Sequence, residues 1–409
     1  MEIEEAKKLW TDRIQMINET ESLPLFECFG RVTAEDIYSE IDVPSFPKSA
    51  MDGYAVRSSE IVGASKENPV VLSVAEEIDA GDVPGYKHQS AASGTWTYPE
   101  KSAVRIMTGG MIPEDFDSVV KQEDTDYGEK MVSIYKAIPA FMNYCPVGEN
   151  FAKGALLVKK STLINRGIIG NLASAGIGNV KVLRKVRAAI INTGSELIDT
   201  GEELSPGKIY SSIGAMLKCS VEKAVAETVM LEICPDEKEK IIQVLKKAFE
   251  ISDIVITSGG VSVGKKDLIP EIINELGGET IFRKVNIQPG TPTMGCIVKG
   301  RPLLALSGNP YAALVNFDIY YFEALAKLTG CDGLAPKEGV AVMQSDYKKE
   351  NYHRRFLRAK ESFGKVEIEK DNKASVISNM AECNCYVDVP AGKTYSAGDV
   401  VNIIRMPET

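Results

Sequence analysis

"SDIVITSGGVSVGKKDLIPEIINEL", residues 252–276, is the stretch whose reading decides the fold. The apolar run Ile251–Ile256 predicts a buried strand, "LIPEIINELGG" predicts a helix, and "TSGGVSVGKKD" (257–267) predicts the turn between them. The same alternation continues outward. "RAAIINTG", "VMLEICP" and "PLLALSGN" read as strands, and "IGAMLKCSVEKAVAET", "DEKEKIIQVLKKAFE" and "PYAALVNFDIYYFEALAKL" read as helices. Strand and helix alternating over residues 185–330 predict an α/β sandwich around a mostly parallel sheet.

In an open parallel sheet, ligands bind at the carboxyl ends of the strands, where loops and helix N-termini converge. Three polar loops fall there: "NTGSEL" (192–197), "TSGGVSVGKKD" and "LSGNP" (306–310). Gly259 and Gly260 let the backbone turn tightly enough to aim successive N–H groups at one point, and a following helix adds its positive dipole end, so phosphate is the natural guest. Pro310 stands where a first helical residue should, with Asn309 as its cap. Any one of these loops reads equally as a plain tight turn; three on one sheet edge favour a ligand cradle. Carboxylates accompany them. Glu196, Asp236 and Asp267 lie at or just beyond strand ends, and Asp52 sits in "SAMDGYAV" (49–56). Such oxygen ligands suit magnesium bridging phosphates, although each acid by itself also reads as a solvated side chain or a helix cap. The residues alone indicate a phosphate-containing ligand with a divalent metal, and no particular reaction.

The rest of the chain differs in character. Residues 1–42 predict an amphipathic helix with Ala6, Leu9, Ile14 and Ile17 on its apolar face, then a short strand and helix joined by a Gly-Arg turn in "LPLFECFGRVTAEDIYS". Residues 43–145 hold short alternating segments such as "VVLSVAEEI" and "MVSIYKAI", punctuated by glycine and proline, which predict a β-rich domain. The last 75 residues return to short strands, "RFLRAKESF", "GKVEIEK", "CYVDVP" and "DVVNIIR", and predict a small β-barrel-like domain. The chain has 409 residues, 44% of them apolar and 25% charged, which is the make-up of a globular protein. Against 57 acidic residues stand 47 basic ones, and the net charge of −10 argues against general nucleic-acid or membrane-surface binding. No apolar run approaches the roughly 20 residues that span a bilayer, and the acidic start "MEIEEAKKLW" is no signal peptide, so the expected location is cytoplasmic. Eight scattered cysteines read as buried reduced thiols, and only two histidines, His88 and His353, make a histidine-based triad or metal site improbable.

Five segments in order, "PSFPKSAMDGYAV" (44–56), "AVRIMTGGMIPEDFDSVVKQEDT" (103–125), "NTGSEL", "TSGGVSVGKKD" and "SGNPYAALVNF" (307–317), resemble the MoeA family of molybdopterin molybdotransferases, which also includes the E domain of gephyrin. The resemblance implies a multidomain α/β plus β protein with an elongated subunit. Its parts would be a split N-terminal linker domain (1–42 and 146–184), a β-rich inserted domain (43–145), a MogA-like α/β molybdopterin-binding domain (185–330) and a small C-terminal β-barrel domain (335–409). It further implies a homodimer with active sites between subunits, insertion of molybdate into adenylyl-molybdopterin with release of AMP, and Mg2+ as the metal. The molybdopterin adenylyltransferase that makes this substrate and the molybdoenzymes that receive the product would be its partners.

Residue by residue, the resemblance carries over Asp52, Thr108, Glu196, Asp236 and Asp267 as catalytic residues, with Asp52, Glu196 and Asp267 on the metal. Thr193, Gly194, Ser258, Gly259, Gly260, Ser262, Gly308, Asn309 and Pro310 would bind molybdopterin and its phosphate, and Lys284 and Arg358 would attract molybdate. The chain also departs from the family pattern. Gln288 and Thr291 replace two lysines, Ser307 replaces a proline, Asn150 replaces an aspartate after Cys145-Pro146 has replaced two arginines, and Ala374 interrupts a glycine-serine segment. A second reading therefore stands beside the first: a MoeA-like paralogue that binds a pterin, a nucleotide or a protein partner without inserting metal.

Overall fold

Val186–Thr193 buries seven of its eight residues, as a strand must when helices cover both sides of its sheet. The computed structural model describes residues 1–85, 97–222, 225–261 and 268–407, and in it this strand, β1, lies inside a six-stranded sheet. Its companions are β2 (Ala226–Cys234), β3 (Ile254–Ser258), β4 (Glu279–Arg283), β5 (Met294–Val298) and β6 (Arg301–Leu306), in the order β2-β1-β3-β6-β5-β4. β1 runs parallel to β2 and β3, and β3 parallel to β6, whereas β5 pairs antiparallel with β6 and β4. The mostly parallel sheet is thus as expected, with the β4–β5 hairpin added.

Alternate residues of each strand face opposite sides of the sheet, and each side has its own apolar layer. Ala188, Ile190, Ile256 and Leu304 pack beneath α1 (Ser212–Val221) and α4 (Pro310–Thr329). Ala189, Ile191, Val255 and Leu303 pack beneath α2 (Lys238–Ile251) and α3 (Leu268–Glu275).

The chain divides into two units, one of Met1–Glu35, Lys159–Ile169 and Gly178–Thr409, the other of Asp36–Val158 and Gly170–Ile177. The first holds the large sheet, the N-terminal helix and a closed five-stranded barrel in the order 337–343, 365–368, 355–362, 385–389 and 400–405. The second holds a five-stranded sheet in the order 118–121, 53–56, 102–106, 70–78 and 131–134.

The N-terminus differs in detail from the sequence expectation. The helix Ile3–Thr11 buries Ile3, Ala6 and Trp10, while Leu9 is 42% exposed. Trp10 anchors it, donating its indole N–H to the Cys296 carbonyl at 3.2 Å and lying edge-on to Phe282. Ile14 and Ile17 reach the core from beyond the helix end. No helix follows the Gly30-Arg31 turn as expected: Val32 and Thr33 bridge to Leu163 and Val182 and Ile37–Tyr38 forms a short strand, while before the turn come the strand Thr20–Pro24 and a single 3-10 turn, Leu25–Glu27. All eight cysteines are free thiols; five are buried, Cys145 and Cys383 are half-buried, and Cys219 is exposed. Among the described residues no helix is long and apolar enough to cross a membrane.

Candidate active site

The register of the large sheet places Asn192 beside Ser258, and Ser258 beside Leu306. The strands end in one row, so the three polar loops leave from the same edge. Between them lies a cleft whose lining includes Thr193, Glu196, Ser258, Gly308 and Pro310. Five of the sequence-predicted residues therefore converge there. Gly194, Gly259, Gly260 and Asn309 belong to the same loops.

Local chemistry fixes each loop. Gly259 has φ +86°, and a Cβ on it would stand 2.3 Å from the Thr193 carbonyl oxygen, so only glycine lets the two loops pass. Thr193 Oγ1 donates to the Ser258 carbonyl at 3.2 Å, and the Gly259 N–H donates to the Leu306 carbonyl at 3.0 Å. The Glu196 carboxylate folds back over Gly194, whose added Cβ would meet its oxygens at 2.8 and 2.9 Å. Asp236 accepts from the Ser195 N–H at 3.3 Å, and Ser195 Oγ accepts from the Asp236 N–H at 3.2 Å, so this acid holds the Asn-Thr-Gly-Ser turn in shape. Asn309 precedes α4 with extended backbone and makes no side-chain cap; its N–H reaches Ser307 Oγ at 3.3 Å.

The two basic residues have different settings. Lys284 is exposed with φ +62°, on a segment tied to α4 where Asn316 donates to the Gly290 carbonyl at 3.3 Å. Arg358 is fully buried, with its guanidinium 4.0 Å over the Tyr311 ring. It donates to the carbonyls of Asp371 at 2.6 Å and Lys373 at 3.4 Å, and to that of Val376. The loop it gathers returns the Ala374 carbonyl to the Tyr311 N–H at 3.0 Å, in the first turn of α4. Among the departures, Thr291 turns its hydroxyl onto the Ile287 carbonyl at 2.6 Å and Gln288 is exposed.

In the second unit the strand 53–56 begins between the ends of its two antiparallel neighbours, 102–106 and 118–121. That places Asp52, Thr108 and Lys121 at one end of the sheet, where with Met51, Gln122 and Glu123 they surround an open depression. Asp52 Oδ1 accepts from both the Thr108 N–H and the Thr108 hydroxyl, each at 2.7 Å. Those two bonds, the backbone one foremost, hold the Asp52 carboxyl below its ordinary range. Ser262 and Asp267, like His88, lie outside the described residues.

Sequence reasoning missed Asn192, Tyr210 and Ser211 in the cleft and Lys121 beside Asp52. A signal for Asn192 was present: it is an amide closing a strand otherwise apolar over Ala188–Ile191.

Glycine loops opening a polar cleft at the carboxyl edge of an α/β sheet, in a chain that also carries a closed β-barrel and a separate β-rich unit, define a multidomain ligand-binding protein. Family models match it in order: the MoeA N-terminal region (domain I and II) over residues 1–176, the "Probable molybdopterin binding domain" over 189–327, and the MoeA C-terminal region (domain IV) over 340–406. The molybdopterin molybdenumtransferase of Staphylococcus epidermidis (strain ATCC 12228) is 35% identical over 98% of this chain and 94% of that protein. One from Staphylococcus aureus (strain MSSA476) is 36% identical over 95% of this chain and 93% of that protein. Among solved structures, the molybdopterin biosynthesis MoeA protein of Pyrococcus horikoshii OT3 superimposes with a TM-score of 0.85 at 29% identity, over 99% of both chains. The chain belongs to the MoeA family.

Proposed function

We propose that the protein is a molybdopterin molybdotransferase, which inserts molybdate into adenylyl-molybdopterin and releases AMP. The observation that carries this reading is the row Asn192–Ser258–Leu306, which brings the three polar loops and Glu196 to one cleft. Thr193, Gly194, Ser258, Gly259, Gly260, Gly308, Asn309 and Pro310 shape the part that takes molybdopterin, and Ser262, outside the described residues, is proposed to join them. Asp236 acts by holding the turn that carries Glu196.

Magnesium is the proposed metal. Mg2+ keeps several waters and is held by one or two carboxylates together with substrate phosphates, which is the kind of donor these acids supply. Glu196 and Asp267 of one chain and Asp52 would hold it, and when bound it supplies charge neutralisation at the phosphoanhydride. Asp52 and Thr108 would join Glu196 and Asp267 across a homodimer, each site drawing on both chains. Lys284 is the exposed cation for molybdate, and Arg358 supports the site by gathering the 371–376 loop. A molybdopterin adenylyltransferase would supply the substrate and molybdoenzymes would take the product.

The uncharged side chains of Gln288 and Thr291 favour a second reading, a paralogue that binds the ligand without inserting metal. The test is transfer of the product: protein incubated with adenylyl-molybdopterin and molybdate should activate a cofactor-free molybdoenzyme, and no activation above a protein-free control would favour the paralogue.

A further inference from the structure

Asn192 and Ser258 are 1% and 2% exposed at the floor of the cleft, and Ser258 Oγ lies 2.7 Å from Asn192 Oδ1. Among the described residues Asn192 Nδ2 has no hydrogen-bond partner. That end of the amide abuts the first turn of α1: a Cβ on Gly214 would come 2.6 Å from Nδ2 and 3.1 Å from Ser211 Oγ. Gly214 is the third residue of α1, so its N–H is among those a helix leaves without an internal acceptor, and Ser211 at the N-cap makes no side-chain bond to them. A buried amide donor without an acceptor therefore lies beside the first turn of α1, whose N–H groups also lack internal acceptors. The two ends of a carboxamide are nearly equal in size, and turning the group over exchanges donor and acceptor without moving its neighbours.

We infer that the Asn192 carbonyl oxygen faces the first turn of α1 and its NH2 donates to Ser258 Oγ, leaving the Ser258 hydroxyl proton to donate to an oxygen of the ligand. A hydroxyl has one proton and accepts readily. Once Ser258 accepts from Asn192, its own O–H is free for the cleft, immediately before the Gly259-Gly260 turn. Asn192 is then a positioning residue, linking α1 to the ligand loop through one side chain. The identity of the ligand as molybdopterin rests on the function proposed above.

Asn192→Asp separates this arrangement from a merely structural one. A carboxylate at residue 192 accepts from α1 on one side and from Ser258 on the other, so it caps the helix at least as well yet recaptures the Ser258 proton. The variant should unfold at a temperature no lower than the parent and bind molybdopterin roughly tenfold more weakly, the scale of one hydrogen bond. Ser258→Ala should lose about the same factor, and the double variant should bind no worse than either single one. Neutron diffraction from deuterated wild-type crystals reads the amide without any ligand: deuterons on the atom facing Ser258 are expected, and deuterons on the atom facing Gly214 overturn the assignment. If the wild type binds molybdopterin and both variants bind equally well, the role of Ser258 is overturned while the cleft stands. If the wild type does not bind it, the reading of the cleft fails and the role given to Ser258 fails with it.

Discussion

Asp52, which lines the open depression, collects an N–H and an O–H from Thr108 on a single oxygen. Asp52→Asn keeps the shape and removes the charge, so AMP release should fall by about two orders of magnitude or more, as for loss of an electrostatic contact in a reaction site. The thermal transition should fall only slightly, because Asn keeps an acceptor for Thr108 and loses only the charge that strengthens those bonds at an exposed site; unchanged AMP release would take Asp52 out of the site. The Thr108 bonds lower the Asp52 pKa, so the carboxylate stays charged, and the pair keeps its stabilising bonds, until the pH falls through that depressed range. Thr108→Ala keeps the backbone donor but removes the hydroxyl, so the charge is lost at higher pH. The acid limb of the AMP-release profile should shift upward in pH, and an unmoved limb would uncouple this pair from the rate. Gln288 offers a complementary gain. It is exposed on the segment that carries Lys284, and a residual attraction of about 1.4 kcal/mol from Gln288→Lys is tenfold in affinity. The molybdate concentration for half-maximal AMP release should drop by that order, less so at high salt; equal titrations of both proteins would remove Gln288 from the pocket.

At the level of elements, the loop 371–376 is held to α4 by a buried cation. Arg358 stacks on Tyr311 while its fork reaches three carbonyls, and lysine cannot reproduce that planar geometry. Arg358→Lys should cost about 3 kcal/mol, the order of one or two charge-assisted hydrogen bonds, measured by urea unfolding. A neutral result there, with weakened molybdate response, would instead return Arg358 to direct contact with the oxyanion. This is also where the sequence was least informative. The resemblance assigns Arg358 to molybdate, and its burial was not legible because the carbonyls that satisfy it come from a loop with no pattern of its own. The β4–β5 hairpin was hidden for a similar reason: Phe282 is the only buried residue of β4, so that strand carries no apolar run. By contrast, β1, β3 and β6 were legible because burial on both faces demands unbroken apolar runs, and Gly259 was legible because any Cβ there would stand 2.3 Å from the Thr193 carbonyl oxygen.

For the whole molecule, the proposed homodimer has a direct consequence. If each site draws Asp52 from one chain and Glu196 from the other, inactive Asp52→Asn and Glu196→Gln subunits should regain part of their activity when mixed into heterodimers. Differently tagged chains would show that heterodimers form, and their continued inactivity would place both acids in the same chain's site. In the proposed function, cleavage of adenylyl-molybdopterin is coupled to molybdate insertion. The most direct measurement is AMP released from adenylyl-molybdopterin by the purified protein with Mg2+, with molybdate present and omitted. AMP should appear catalytically and depend on molybdate concentration; binding of adenylyl-molybdopterin with no AMP release at any molybdate concentration would contradict the claim and leave a ligand-binding paralogue.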